Sequence, residues 1–194
     1  MLINVTGSQA KAASGITIHG LTLRDTSATY LAPHGLPSGG DWALQKQGAI
    51  TLVGTEGVSI SENLFTEMDG NAVFIGSYHR GLTIEANEFY GIGDSVLAAW
   101  GDTSECLNQN CSKSLPKGVK MGPDGRGGDQ PRGTVVRGNL AHEIGLWQKQ
   151  SSLWFQAVAA QTTLEGNVRY FPNSNPSMVW RWCLSGLYCA APFP

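Results

Sequence analysis

Two short stretches of the chain, Met68-Asp69-Gly70-Asn71 and Ile92-Gly93-Asp94-Ser95, each set an aspartate in a glycine-containing turn just ahead of an apolar run. Two carboxylates held close together and partly shielded from water ionise unequally. One keeps its proton near neutral pH while the other gives it up, which is the division of labour that acid–base cleavage of a glycosidic bond needs. Asp69 and Asp94 are therefore the candidate catalytic pair. The same residues have a local use, because an Asp side chain bonds the backbone of its own turn, and the sequence supports both uses equally. Glu143 and its neighbour His142 supply a second acid and a base to assist. Tyr90, Trp100 and Trp42 offer flat rings of the kind that pack on sugar faces, and Asp102 and Lys149 add charge for a substrate. Plainer roles are open to several of them: His142 bonded to its own turn, Tyr90 packed on a neighbouring strand, Trp100 interior, Lys149 a solvated loop cation.

What must bring Asp69 and Asp94 together is a repeat. Gly57-Val-Ser-Ile-Ser-Glu-Asn63-Leu-Phe65 superposes on Gly81-Leu-Thr-Ile-Glu-Ala-Asn87-Glu-Phe89 at a step of 24 residues, and the pattern returns around Asn139 and Asn167. Asn87 to Asn139 is 52 residues and Asn139 to Asn167 is 28, so insertions interrupt an otherwise regular period. They fall within residues 29–47, within 102–132 and, as four residues, near 147–150. Inside each unit Val58 and Ile60, Leu82 and Ile84, or Thr134 and Val136 alternate with outward residues, the two-residue period of a strand with one buried face. Asparagine is depleted in strands, so its recurrence after each one marks a turn column in which amides stack, with Leu21 as the exception.

This arithmetic predicts an all-β chain: a right-handed parallel β-helix, a solenoid of about 24-residue coils with an asparagine ladder, over residues 1–171. Residues 172–194 carry no further unit and read as a cap or a truncation. A β-sandwich would show hairpin turns at close intervals and would give no reason for asparagine to recur in register. On the predicted stack, Arg24, Thr66, Tyr90 and His142 form one column and Asp25, Glu67, Gly91 and Glu143 the next.

Composition narrows the partners. The 194 residues are 41% hydrophobic and carry a net charge of -2 with only 14% charged residues, which excludes the basic footprint of a nucleic-acid binder. No apolar run is long enough to cross a bilayer, and no basic region followed by an apolar run marks a signal peptide. The four cysteines fall into two local pairs, Cys106 with Cys111 and Cys183 with Cys189, each able to close a small loop in an oxidising compartment; their spacing is not that of a zinc site. Neither a metal nor a cofactor is expected, and the chain reads as a monomer.

Met68-Asp-Gly-Asn-Ala-Val73, Ile92-Gly-Asp-Ser-Val-Leu-Ala-Ala-Trp-Gly101 and Gln148-Lys-Gln-Ser-Ser152, set on an asparagine-bearing repeat, resemble the pectin-lyase-like superfamily of right-handed parallel β-helix proteins. The likeness is closest to its glycoside-hydrolase-like branch of secreted proteins, and it covers roughly residues 15–171. It implies a polysaccharide or oligosaccharide as ligand and an extracellular or secretory-pathway location. It does not fix the reaction, because that superfamily includes lyases, hydrolases, esterases, epimerases and inert adhesins. The chain departs from the pattern in two ways. Relatives continue with further coils beyond the position of Phe171, and neither the compact Asp-Asp pattern of polygalacturonases nor the calcium cluster and arginine base of pectate lyases is present. Three readings follow: a glycoside hydrolase-like protein using Asp69 and Asp94; a non-catalytic glycan-binding or structural solenoid, the remnant of a longer enzyme; and a polysaccharide lyase in which Arg80 or Lys149 neutralises a uronate.

Overall fold

The computed structural model describes residues 1–29, 32, 34–35, 44–102, 126–148 and 151–170. Among them the chain is all strand and turn. It opens with β1 (Ile3–Thr6), β2 (Ala13–Ser14), β3 (Thr17–His19) and β4 (Thr22–Thr26). After the first insertion come β5 (Gly48–Glu56), β6 (Ser59–Ser61) and β7 (Leu64–Met68), then β8 (Asn71–Arg80), β9 (Thr83–Glu85) and β10 (Glu88–Ile92). β11 (Leu97–Trp100) and β12 (Pro131–Arg132) flank the longest insertion and lead to β13 (Val135–Arg137), β14 (Leu140–Ile144), β15 (Trp154–Ala157), β16 (Thr163–Glu165) and β17 (Val168–Tyr170).

Successive passes of the chain stack into three sheets whose named strand pairs are all parallel. Sheet A runs β1-β5-β8-β11-β15, with β2 on β5 and β12 on β8; sheet B runs β3-β6-β9-β13-β16; sheet C runs β4-β7-β10-β14-β17. These stacked parallel sheets are compatible with a solenoid. No helix among the described residues is long and apolar enough to cross a membrane.

Each stack is held by like residues meeting like. In sheet B, Ile18, Ile60, Ile84, Val136 and Leu164 are paired in register, and the first four are buried. In sheet C, Phe65 pairs with Phe89, their rings stacked with centroids 4.7 Å apart. At the corner between these sheets the asparagine amides bond one another: Nδ2 of Asn63 donates to Oδ1 of Asn87 and Nδ2 of Asn87 to Oδ1 of Asn139, each at 3.0 Å, and Nδ2 of Asn139 to Oδ1 of Asn167 at 2.8 Å. Oδ1 of Asn63 accepts a main-chain N–H from Leu21, at 3.0 Å, so position 21 needs a main-chain donor but no amide side chain. That is why the column tolerates leucine there.

The second column of the sequence reading has a backbone cause. Asp25, Glu67, Gly91 and Glu143 all lie in the left-handed region, at φ 63, 53, 66 and 52. They are the residues skipped in the pairing of sheet C, where Arg24 meets Thr66 and Thr26 meets Met68. The bend they make turns each sheet C strand toward the corner that leads into sheet A.

Sheet A is apolar on both faces. Ile50, Val73, Leu97 and Ala99 belong to the main core, whereas Phe74, Ala98 and Phe155 join Leu44 in a second cluster on the other face, with Trp100 and Ala157 against it. The first insertion supplies that cover. Leu44 bridges to Gly35, and Gln45 and Gln47 give their carbonyls to Nδ2 of Asn71, at 3.0 Å each.

Candidate functional site

The corner where sheet C passes into sheet A is crossed by the chain several times, and main-chain bonds knit those passes together. The N–H of Gly93 donates to the carbonyl of Met68 at 2.5 Å, that of Asp94 to Gly70 at 3.3 Å, and those of Trp147 and Gln148 to Gly93 at 3.0 Å each. A Cβ at Gly93 would stand 2.6 Å from Cδ1 of Trp147 and 2.8 Å from the carbonyl oxygen of Asp69. Only glycine lets the three segments approach this closely.

Asp69 and Asp94 both stand at this corner, in different settings. Asp69 is half-buried; its N–H donates to Oγ1 of Thr26 and its Oδ1 accepts the indole N–H of Trp147, both at 3.1 Å. Trp147 is thereby fixed in place while remaining 57% exposed. Asp94 is only 7% exposed. Burial pushes its carboxyl above the usual aspartate range, and hydrogen bonds from Ser151 and Ser95 pull back more weakly.

Ser151 joins Asp94 to the segment that carries Trp147. The Ser151 hydroxyl lies 3.0 Å from Oδ1 of Asp94 and in short contact with the carbonyl of Gln148.

His34, from the first insertion, completes the group. Its Nδ1 is 2.7 Å from the carbonyl of Ala32, which can only accept, so Nδ1 carries a ring hydrogen. Nε2 is buried with no hydrogen-bond partner among the described residues, and the ring is near enough to act on the charge of Asp94. A buried ring nitrogen in that position calls for a hydrogen-bonding group such as a ligand hydroxyl, which can donate or accept.

The remaining candidates lie in other groups. His142 and Tyr90 pair across sheet C, rings stacked with centroids 4.8 Å apart, and Nε2 of His142 is 3.0 Å from Oε1 of Glu88; Tyr90 stays 44% exposed. Glu143 follows in the left-handed bend of β14. Trp100 is half-buried on the outer cluster of sheet A, with Nζ of Lys46 4.0 Å from its ring centroid and Gly35 against its edge. Asp102 accepts the Ser77 hydroxyl and lies 3.8 Å from Nζ of Lys46, so it groups with Trp100 rather than with Asp94. Trp42 and Lys149 lie outside the described residues, as do all four cysteines.

Comparison of the chain with protein-family models, curated proteins and solved structures finds no match. The site must therefore be read from its own chemistry. Among the described residues no three His, Cys, Asp or Glu side chains converge to hold a metal ion. The corner offers instead a buried acid, a half-buried acid, an exposed indole and an unpaired imidazole nitrogen. Sequence reasoning found the two acids from their Gly/Asp turns. It assigned no role to Trp147, Ser151 or His34; each lies in or beside an insertion, and Ser151 also falls in the Gln148–Ser152 stretch that carries the resemblance.

Proposed function

We propose that the chain is a right-handed parallel β-helix with coils of about 24 residues and an asparagine ladder, of pectin-lyase-like type, and that it takes a polysaccharide at the Asp69–Trp147–Asp94 corner. The observation that carries this reading is Trp147: an exposed indole pinned to one carboxylate and packed against Gly93, the neighbour in sequence of a second, buried one. A sugar ring packed on that indole lies beside both acids. Asp94 then passes its proton to the glycosidic oxygen as the C–O bond breaks. Asp69 serves the anomeric carbon, either drawing a proton from the attacking water or attacking it directly. A carboxyl separation of about 5 Å corresponds to retention of configuration and roughly 6.5–9.5 Å to inversion. Nε2 of His34 hydrogen-bonds a sugar hydroxyl. The working location in this reading is extracellular or within the secretory pathway, and the protein acts as a monomer.

Release of reducing sugar from plant and algal polysaccharides tests the reaction. Wild type is expected to release sugar, and Asp94→Asn is expected to lose about 10²- to 10⁴-fold in rate, the usual contribution of a positioned general acid. Equal rates remove Asp94 from the mechanism.

A second reading, glycan binding without turnover, is favoured by one feature: Oδ1 of Asp94 accepts the N–H of Ser95 at 2.7 Å, as a turn-capping side chain would. It calls for binding on a glycan array without dependence on Asp94. The lyase reading gains no support from Arg80, whose terminal nitrogens each donate to two main-chain carbonyls.

A further inference from the structure

Arg132 closes β12 and pairs in register with Arg80 at the end of β8, which in turn pairs with Glu56. Residues paired across parallel strands project the same way about 4.8 Å apart, so the two arginine side chains leave neighbouring strands on the same side, near enough for one charge to act on the other. Burial, and then the charge of Arg132, holds Arg80 below the usual arginine value, against an opposing pull from Tyr78.

The two arginines are provided for very differently. Arg80 is satisfied from within: Nη1 donates to the carbonyls of His79 and Gln130 at 2.7 Å, Nη2 donates to those of Arg126 and Gly128 at 2.9 Å, and Cζ lies 4.2 Å from the centroid of the Tyr78 ring. Glu56 accepts the Tyr78 hydroxyl. Among the described residues nothing comparable serves Arg132. Its Nε is buried without a hydrogen-bond partner, and its side chain enters none of the ion pairs among the described residues. A buried donor left unpaired costs about 1–3 kcal/mol, and more when charged. A like charge in the adjacent strand adds to that cost.

We propose that a ligand offsets it: Arg132 anchors an oxyanion-binding site for a carboxylate, sulfate or phosphate group. Guanidinium is the side chain best matched to such groups, because its planar fork meets two oxygens at once. The site lies at the far end of the long sheet A strands from the acid pair, since β12 pairs with the last residues of β8 while the N–H of Asp94 bonds Gly70, just before β8 begins. It therefore stands or falls independently of Asp69 and Asp94. The oxyanion could be borne by an acidic glycan or be a free inorganic ion.

Isothermal titration of the whole chain with sodium sulfate, dextran sulfate and neutral dextran, at constant ionic strength, tests the site and separates the sources. Wild type is expected to bind a sulfate-bearing probe but not neutral dextran, and Arg132→Gln to bind it about tenfold more weakly or worse. Arg132→Lys, which keeps the charge and loses the fork, is expected to fall between. Tight binding of dextran sulfate with weak binding of free sulfate identifies a polymer-borne group; equal binding per sulfate identifies the free ion. Affinity unchanged by Arg132→Gln, or no binding by wild type, overturns the proposal. If the variants fail to fold, phenylglyoxal modification of Arg132 in wild type, followed by peptide mass, decides the matter. Sulfate must slow it, and an unchanged rate overturns the site. Free sulfate offers no sugar ring to the Trp147 corner, so its binding by wild type and its loss in Arg132→Gln leave this proposal standing if the glycan reading fails.

Discussion

Two buried titratable side chains with opposite leanings, Asp94 and His79, link the local environment to behaviour in solution. His79 is fully buried beside Thr55, whose hydroxyl is 2.6 Å from its Nδ1, and burial lowers its pKa from 6.5 to about 4, partly opposed by a main-chain bond to Leu52. A depressed histidine contributes stability that is present above its unfolded value and lost as pH falls through its folded one. Asp94 has the opposite sign: its raised carboxyl favours the fold at low pH, and that contribution is lost as pH rises through the raised value. Thermal midpoints of wild type are therefore expected to fall between pH 6.5 and about 4 from the His79 contribution, and His79→Gln should flatten that fall. Asp94→Asn should melt highest relative to wild type near neutral pH, the gap closing on acidification. Parallel melting curves for all three proteins across this range would contradict both assignments. Asp69 and Asp94 were legible in the sequence because aspartate and glycine announce a turn. His34 was not, because nothing in a glycine-rich insertion says which strand it will lie against.

Among the elements, the amide series at the corner of sheets B and C ties successive passes together through side chains. Asn87 is 2% exposed; its Nδ2 donates to the carbonyls of Ile60 and Glu85, and its Oδ1 accepts both the main-chain and the side-chain N–H of Asn63. Asn87→Ala leaves these groups without partners at a cost of about 1–3 kcal/mol for each one that water cannot reach. A loss of about 3 kcal/mol or more in urea unfolding is expected. By contrast, Arg137→Ala, which removes an exposed pair with Glu85, should change stability by about 1 kcal/mol or less. Similar losses from the two variants would show that the amides are not what holds the corner. The strand alternation and the asparagine positions could be read from the sequence because burial and turn chemistry choose residue type directly. The column of Asp25, Glu67, Gly91 and Glu143 was harder, since a left-handed bend and a row of catalytic acids leave the same spacing. Dihedral angles separated the two where letters did not.

Across the whole molecule, the three parallel stacks make a rigid frame whose faces are unequally available. On the outer face of sheet A, Phe74, Ala98 and Phe155 are buried in one cluster with Leu44 from the first insertion. The corner carrying Asp69, Trp147 and Asp94 presents its indole to solvent, and sheet C beside it exposes Tyr90 and Leu140. Insertions thus decide where a ligand can approach, and their placement was visible from broken spacing although what they cover was not. The central claim is that a glycan docks on Trp147 at this corner, whether or not it is cleaved. Affinity electrophoresis through gels containing neutral or acidic polysaccharides tests it most directly, with wild type run beside Trp147→Ala. At least one polysaccharide should retard wild type, with Trp147→Ala running as in a gel without polymer; equal retardation of the two proteins, or none by any polymer, would contradict the account.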